Sequence, residues 1–77
     1  MTVDILTPDK QLFDGEASYV GLPGIDGSLG ILSNHAALVT TLSSGDIIVR
    51  TDNEELSFNV KGGTVEVLNN HVTILVQ

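Results

Sequence analysis

Apolar residues in this chain recur at every second position, the spacing that sends side chains to alternate faces of an extended strand. In Leu56-Ser57-Phe58-Asn59-Val60 the three apolar residues share one face, and Ser57 and Asn59 share the other. Val72, Ile74 and Val76 repeat this around Thr73, Val65 and Val67 flank Glu66, and Val3 and Ile5 flank Asp4. Only Ser33 to Leu42 could hold a helical period. It contains Val39, Thr40 and Thr41 in a row, whose branched β-carbons favour extended backbone. The spacing therefore predicts a strand there, entered through a polar bend.

Turn residues separate these runs at short intervals: Thr7-Pro8-Asp9, Asp14-Gly15, Pro23-Gly24, Asp26-Gly27, Ser43-Ser44-Gly45-Asp46, Asp52-Asn53, Gly62-Gly63 and Asn69-Asn70. Asn69-Asn70 suits a two-residue hairpin that needs φ > 0. Asp52-Asn53 marks the tip of another hairpin. Gly62-Gly63 predicts a bulge or a close backbone approach. About nine or ten short strands and no helix follow. Such a series packs as two antiparallel sheets, a small all-β sandwich or flattened barrel, with residues 1–77 as one domain. Pro23-Gly24 and Asp26-Gly27 predict two tight turns that project a loop, displaying Ile25, Asp26 and Ser28 instead of packing them.

Charge narrows the function classes. Ten carboxylates stand against Lys10, Arg50 and Lys61, a formal net charge of −7. That surface repels nucleic-acid phosphates and anionic lipid, so neither nucleic-acid binding nor direct membrane insertion is expected. No apolar run approaches the roughly 20 residues of a membrane span. Cysteine is absent, which removes disulfides and thiol chemistry.

Candidate chemistry is thin. His35 lies near Ser28, Ser33 and Asp26 in sequence, but no nucleophile elbow or oxyanion hole accompanies it, so no catalytic residue is assigned. His35 and His71, without cysteine, do not make a metal set, and Asp26 lacks the companion oxygen ligands of a calcium loop. A biotinyl- or lipoyl-type carrier domain would present a lysine at a hairpin tip, where this chain has Thr51-Asp52-Asn53-Glu54. A glycan-binding module would need exposed aromatics, and only Phe13, Tyr19 and Phe58 exist, with Phe58 expected inside. No cofactor and no small-molecule substrate are expected.

The segment Gly21-Leu22-Pro23-Gly24-Ile25-Asp26-Gly27-Ser28-Leu29-Gly30-Ile31-Leu32, followed by His35-Ala36-Ala37-Leu38, resembles the amino-terminal domain of the epsilon subunit of rotary F-type ATP synthases. The resemblance extends along the chain. It includes Leu12-Phe13-Asp14-Gly15, Leu42-Ser43-Ser44-Gly45, Gly62-Gly63-Thr64-Val65-Glu66-Val67 and Asn70-His71-Val72-Thr73-Ile74-Leu75. Ala37 stands where the family usually has proline, and Ser28 where members often carry a carboxylate. The resemblance implies a non-catalytic subunit of the central stalk that attaches the gamma subunit to the polar loops of the membrane c-ring. It would couple ion movement to ATP synthesis or hydrolysis from the cytoplasmic face of a bacterial plasma membrane. Implied ring contacts are Ile25, Asp26, Gly27, Ser28, Leu29 and His35, with Asp26 pairing to a basic residue of the ring. Tyr19 and Thr41 are implied gamma contacts. Many members continue into a carboxyl-terminal helical hairpin, and no residues of this chain are expected to form one.

Overall fold

The period-two pattern is realised as nine strands. In a computed structural model describing residues 1–77 they run β1 (Thr2–Leu6), β2 (Gln11–Glu16), β3 (Tyr19–Gly24), β4 (Gly27–Leu32), β5 (Leu38–Leu42), β6 (Gly45–Arg50), β7 (Glu55–Val60), β8 (Gly63–Leu68) and β9 (His71–Val76). Hydrogen bonding orders them into one layer, β2-β1-β9-β8-β5, and a second, β4-β3-β6-β7. A single residue pair, Gly24 with Leu42, joins the layers by linking β3 to β5. The all-β class and the strand number are those expected.

One pairing departs from the antiparallel expectation. β1 lies parallel to β9, with Val3 beside Val72 and Ile5 beside Ile74. A tight hairpin can join only antiparallel neighbours. These two strands are joined by the whole intervening chain, so nothing local fixes their direction, and inward Val3 and Ile5 meet inward Val72 and Ile74 either way.

Sixteen buried apolar side chains form one core drawn from both layers, and no polar or charged side chain is buried with them. Val3, Ile5, Val20, Ile47, Val49, Val72 and Ile74 are wholly shielded from solvent. Phe58 is only half-buried, contrary to expectation. It sits on edge strand β7 and meets Phe13 of edge strand β2 edge-to-face, with ring centroids 6.3 Å apart. The two rings close one side of the sandwich.

Turn chemistry follows the sequence at several places. Asn69 and Asn70 hold φ of 51° and 62°, the left-handed values of a two-residue hairpin between β8 and β9. The Thr51 hydroxyl accepts from the backbone N–H groups of Asn53 and Glu54, which closes the β6–β7 turn. Gly63 is required by close approach, since a Cβ there would stand 2.1 Å from the Leu75 carbonyl oxygen. Two expected turns are strand instead. Asp14-Gly15 pairs with Asp4 and Val3 inside β2, and Pro23-Gly24 ends β3. Local turn propensity gives way there to a partner strand in register.

Candidate functional site

The projecting loop is a two-residue turn. Gly24 and Gly27 form the last pair of the β3–β4 hairpin, and Ile25 and Asp26 make the turn between them. Gly27, with φ of 131°, takes a backbone shape that other residues rarely adopt. Gly24 is fixed by space, because an added Cβ would lie 2.4 Å from the Gly27 carbonyl oxygen. Pro23 is tolerated inside a strand because β3 pairs with β6 only through Gly21. Its carbonyl, on the side away from β4, accepts from the Ser43 N–H at 2.8 Å and the Ser43 hydroxyl at 3.2 Å. The Ile25 N–H donates to the Thr41 carbonyl at 3.0 Å. The tip is thus tied to β5 and to the β5–β6 turn, and it is held rather than loose.

At this tip Ile25, Asp26, Gly27 and Ser28 are exposed, as the sequence predicts. Leu29 is not displayed. It points inward, half-buried, and packs against the core. Ile25 is the tip's exposed apolar anchor, at 59% exposure. Asp26 makes no hydrogen bond or ion pair within the chain; the ion pairs run from Met1 to Glu16, Arg50 to Glu55 and His71 to Asp4.

His35 does not join this group. Strand β4 carries the chain away from the tip, and five residue steps at about 3.4 Å put its far end roughly 17 Å off. His35 follows at that far end, with its N–H donating to the Leu32 carbonyl and Nδ1 2.7 Å from the Ala36 carbonyl. The adjoining Asn34 N–H donates to the Asn70 side chain at 2.8 Å, which anchors the bend to the β8–β9 turn. Asp26 and His35 therefore stand at opposite ends of β4, and that separation removes any triad built on them.

Tyr19 and Thr41 are likewise parted. Tyr19 lies on the outer face of the four-stranded layer, its ring laid across Gly21 and Gly30, which face each other on β3 and β4. Arg50 of β6 stands over the ring, 4.9 Å from its centroid, and its Nε and Nη2 both donate to Glu55 of β7. Tyr19 is therefore a covering side chain, half-buried by its neighbours. Thr41 lies on the outer face of the other layer.

That second outer face carries residues the sequence reading passed over. Register aligns Thr41, Thr64, Leu75 and Leu6 in one cross-strand row, and Val39, Glu66, Thr73, Asp4 and Asp14 in the next. Val39 is 73% exposed and Leu75 52%. With Thr64, Val65, Glu66 and Thr73 they line a shallow depression of about 270 Å³. The available signal was phase: both are apolar at positions where alternation calls for a polar residue. Further along, His71 Nε2 lies 2.8 Å from Asp4 Oδ2. Asp14 faces Asp4 directly; when protonated it donates to Asp4, and the Asp4 charge opposes its ionisation, so its carboxyl is held above the usual range. Glu16 is held below it, chiefly by the Thr2 hydroxyl donating at 2.6 Å.

Relatives match this arrangement along its whole length. The sequence model of the ATP synthase delta/epsilon chain β-sandwich domain matches residues 1–77. The chain is similar to the ATP synthase epsilon chain of Thermosynechococcus vestitus, 51% identical over 76 residues that cover 99% of this chain and 55% of the relative. The epsilon chain of Maridesulfovibrio salexigens is 39% identical over 77 residues, covering 100% and 54%. The chain thus spans about half the length of the curated relatives it matches. A chain from the central stalk and c-ring of the Tetrahymena thermophila mitochondrial ATP synthase superposes with a TM-score of 0.87 at 26% identity, covering all of this chain and 63% of that one. A chain of the Euglena gracilis mitochondrial enzyme shares the fold, at a TM-score of 0.89 and 19% identity, covering 96% and 48%. From Met1 to Gln77, the chain belongs to the ATP synthase delta/epsilon family, as its β-sandwich domain.

Proposed function

We propose that this domain is a non-catalytic rotor part of an F-type ATP synthase, gripping the gamma subunit with one outer sheet face and the c-ring loops with its hairpin tip. In this reading it needs no cofactor or small-molecule substrate. It reaches the membrane only through the complex, at the cytoplasmic face of a bacterial plasma membrane. No helix of the chain is long and apolar enough to cross a membrane.

The observation that carries the reading is the braced tip. Ile25 and Asp26 project from a turn fixed by Gly24 and Gly27 and tied to β5, so a contact there is transmitted to the whole sandwich. An exposed aliphatic side chain beside an unpaired carboxylate suits a small interface with an apolar centre and a polar rim. His35, about 17 Å away by strand rise, falls outside this ring contact.

The gamma side is assigned to the outer face of the five-stranded layer. Val39 and Leu75 stand open there around one depression, with Thr41 exposed beside Thr64 of its lining, whereas Tyr19 and Arg50 cover the middle of the opposite outer face and leave Leu32 exposed at its end. Exposed apolar side chains gathered around one depression mark a partner surface more than a largely self-covered face does. Tyr19 is then not a gamma contact.

The test is a pull-down with purified gamma subunit, followed by binding to detergent-solubilised c-ring. Asp26→Lys is expected to keep gamma and lose the ring, with the wild-type affinity falling as salt rises. Val39→Asp is expected to lose gamma, and His35→Glu to lose neither. A wild-type domain that binds neither gamma nor ring overturns the reading.

A further inference from the structure

We propose that the tip contains a socket for one aliphatic side chain of a c-ring loop, beside a seat for a basic residue of that same loop. The proposal rests on the tip being the ring-facing end and specifies what the ring must present to it.

The socket arises from topology. β4 pairs only with β3, while β5 pairs with β8 along its length and touches β3 at Gly24 alone. Edge strands β4 and β5 thus share no ladder, and the layers part between them, on the side that the Phe13–Phe58 contact does not close. The gap opens at the tip as a cavity of about 160 Å³. Leu29 from β4, Leu38 and Thr40 from β5, and Ile25 from the turn line it. Leu29 and Leu38 are half-buried, packed on the core on one side and bare on the other. An apolar cavity of about 150 Å³ is large enough to take a benzene-sized guest. The socket therefore has room for one leucine-sized group and not for a helix.

Charge selects the occupant. Asp26 is the sole charged residue on the socket lining, and it has no cation partner within the chain. Lys10 and Lys61 form no ion pair with it. An incoming loop that places an aliphatic side chain between Leu29 and Leu38 sets its neighbouring residue at the Asp26 rim, where a lysine or arginine is favoured and a carboxylate repelled. Rim charges of this kind act mostly on association rate and specificity, and the apolar insertion sets the residence time.

Two substitutions fill the socket from within and leave the rim charge in place: Leu38→Phe and Thr40→Leu. Each is expected to weaken c-ring binding at least tenfold, mainly through faster dissociation, with gamma affinity unchanged. Retained gamma binding certifies the fold. In parallel, the methyl resonances of Leu29 and Leu38 in the wild-type domain are followed on addition of solubilised ring. They are expected to shift together with those of Ile25, and this measurement does not depend on any variant folding. Wild-type ring affinity in a gamma-binding filled variant, or unmoved Leu29 and Leu38 methyls in a ring-bound domain, overturns the socket while the ring-facing tip stands. A wild-type domain that never binds ring overturns both.

Discussion

Replacing Tyr19 by alanine separates a covering role from a binding one. The ring lies over Gly21 and Gly30, with a notional Cβ at Gly21 3.0 Å from the Tyr19 hydroxyl and one at Gly30 3.1 Å from a ring carbon, and Arg50 stacks above. A fully buried aromatic removes 150–250 Å² from water, so a half-buried tyrosine removes about 100 Å². At about 25 cal/mol per Å² this is worth ~2.5 kcal/mol, and the exposed cation–π contact adds about 0.5. Alanine recovers some of this by shielding the strand itself, leaving a net loss of about 2 kcal/mol. For a domain of this size that lowers the melting temperature by about 8–16 °C. Gly30→Ala is the internal control. In the wild type its new methyl presses on the ring, which must shift by a few tenths of an ångström against Arg50. In the Tyr19→Ala background it meets open space and is expected to stabilise by about 0.5–1 kcal/mol, because glycine weakens a strand interior. The double-mutant cycle, measured by urea unfolding, should then show at least 1 kcal/mol of coupling, with gamma affinity unaltered throughout. Additive effects, or a tenfold loss of gamma binding by Tyr19→Ala at unchanged stability, would refute the covering role.

Other perturbations test separate parts of the fold. Ile74→Ala removes a wholly buried side chain from the central strand β9; it should cost about 2–5 kcal/mol, enough to leave a domain this small largely unfolded at 37 °C by amide NMR. Asn70→Val places a branched residue at φ 62° and deletes the acceptor of the Asn34 N–H, so urea unfolding should show a loss of about 2–3 kcal/mol. Asn69→Gly in the same turn should be close to neutral. Asp14 has a folded pKa above its ordinary value, so the folded state holds the proton longer than the unfolded one, and stability falls as pH rises through that interval. Asp14→Asn should therefore melt higher than wild type near pH 7 and equal to it below about pH 4. Glu16 has the opposite sign: its lowered pKa gives stability that is present at neutral pH and lost on acidification, so Glu16→Gln should melt lower near pH 7 and converge with wild type in acid. Melting curves across this range check both.

What could be read from the sequence was what local rules determine. Alternation placed Val3, Ile5, Val65, Val67, Val72 and Ile74 inside, because a period of two leaves each residue only two faces to choose between. Asn69-Asn70 declared its turn because few residues other than glycine accept φ > 0. Pairing across the chain was not legible in the same way. Asp14-Gly15 and Pro23-Gly24 carry turn chemistry, yet each lies in a strand because a neighbour in register supplies hydrogen bonds that the local sequence does not reveal. The parallel β1–β9 contact joins residues about 70 apart, beyond any local signal. The resemblance groups His35 with the tip, and nothing in the local sequence shows how far apart the two lie. Six residues of extended strand are long enough to carry it to the other end of the molecule.

That separation shows how the fold divides its surfaces. Every strand runs the full height of the sandwich, so residues a few positions apart in a turn stay together, while those on either side of a strand are sent to opposite ends. The turns Ile25-Asp26 and Ser43-Ser44 and the Lys61-Gly62 linker gather at one end; Asn34-His35, Asp52-Asn53 and Asn69-Asn70 gather at the other. The proposed ring contact at the first end and the proposed gamma contact on an outer face would load one rigid body at two separate places. Force entering at Ile25 passes through its bond to Thr41 into β5, and β5 carries Val39 on the proposed gamma face. The path from tip to the proposed gamma face is three residues of one hydrogen-bonded strand, Thr41 to Val39, so torque can cross the domain with no hinge in between.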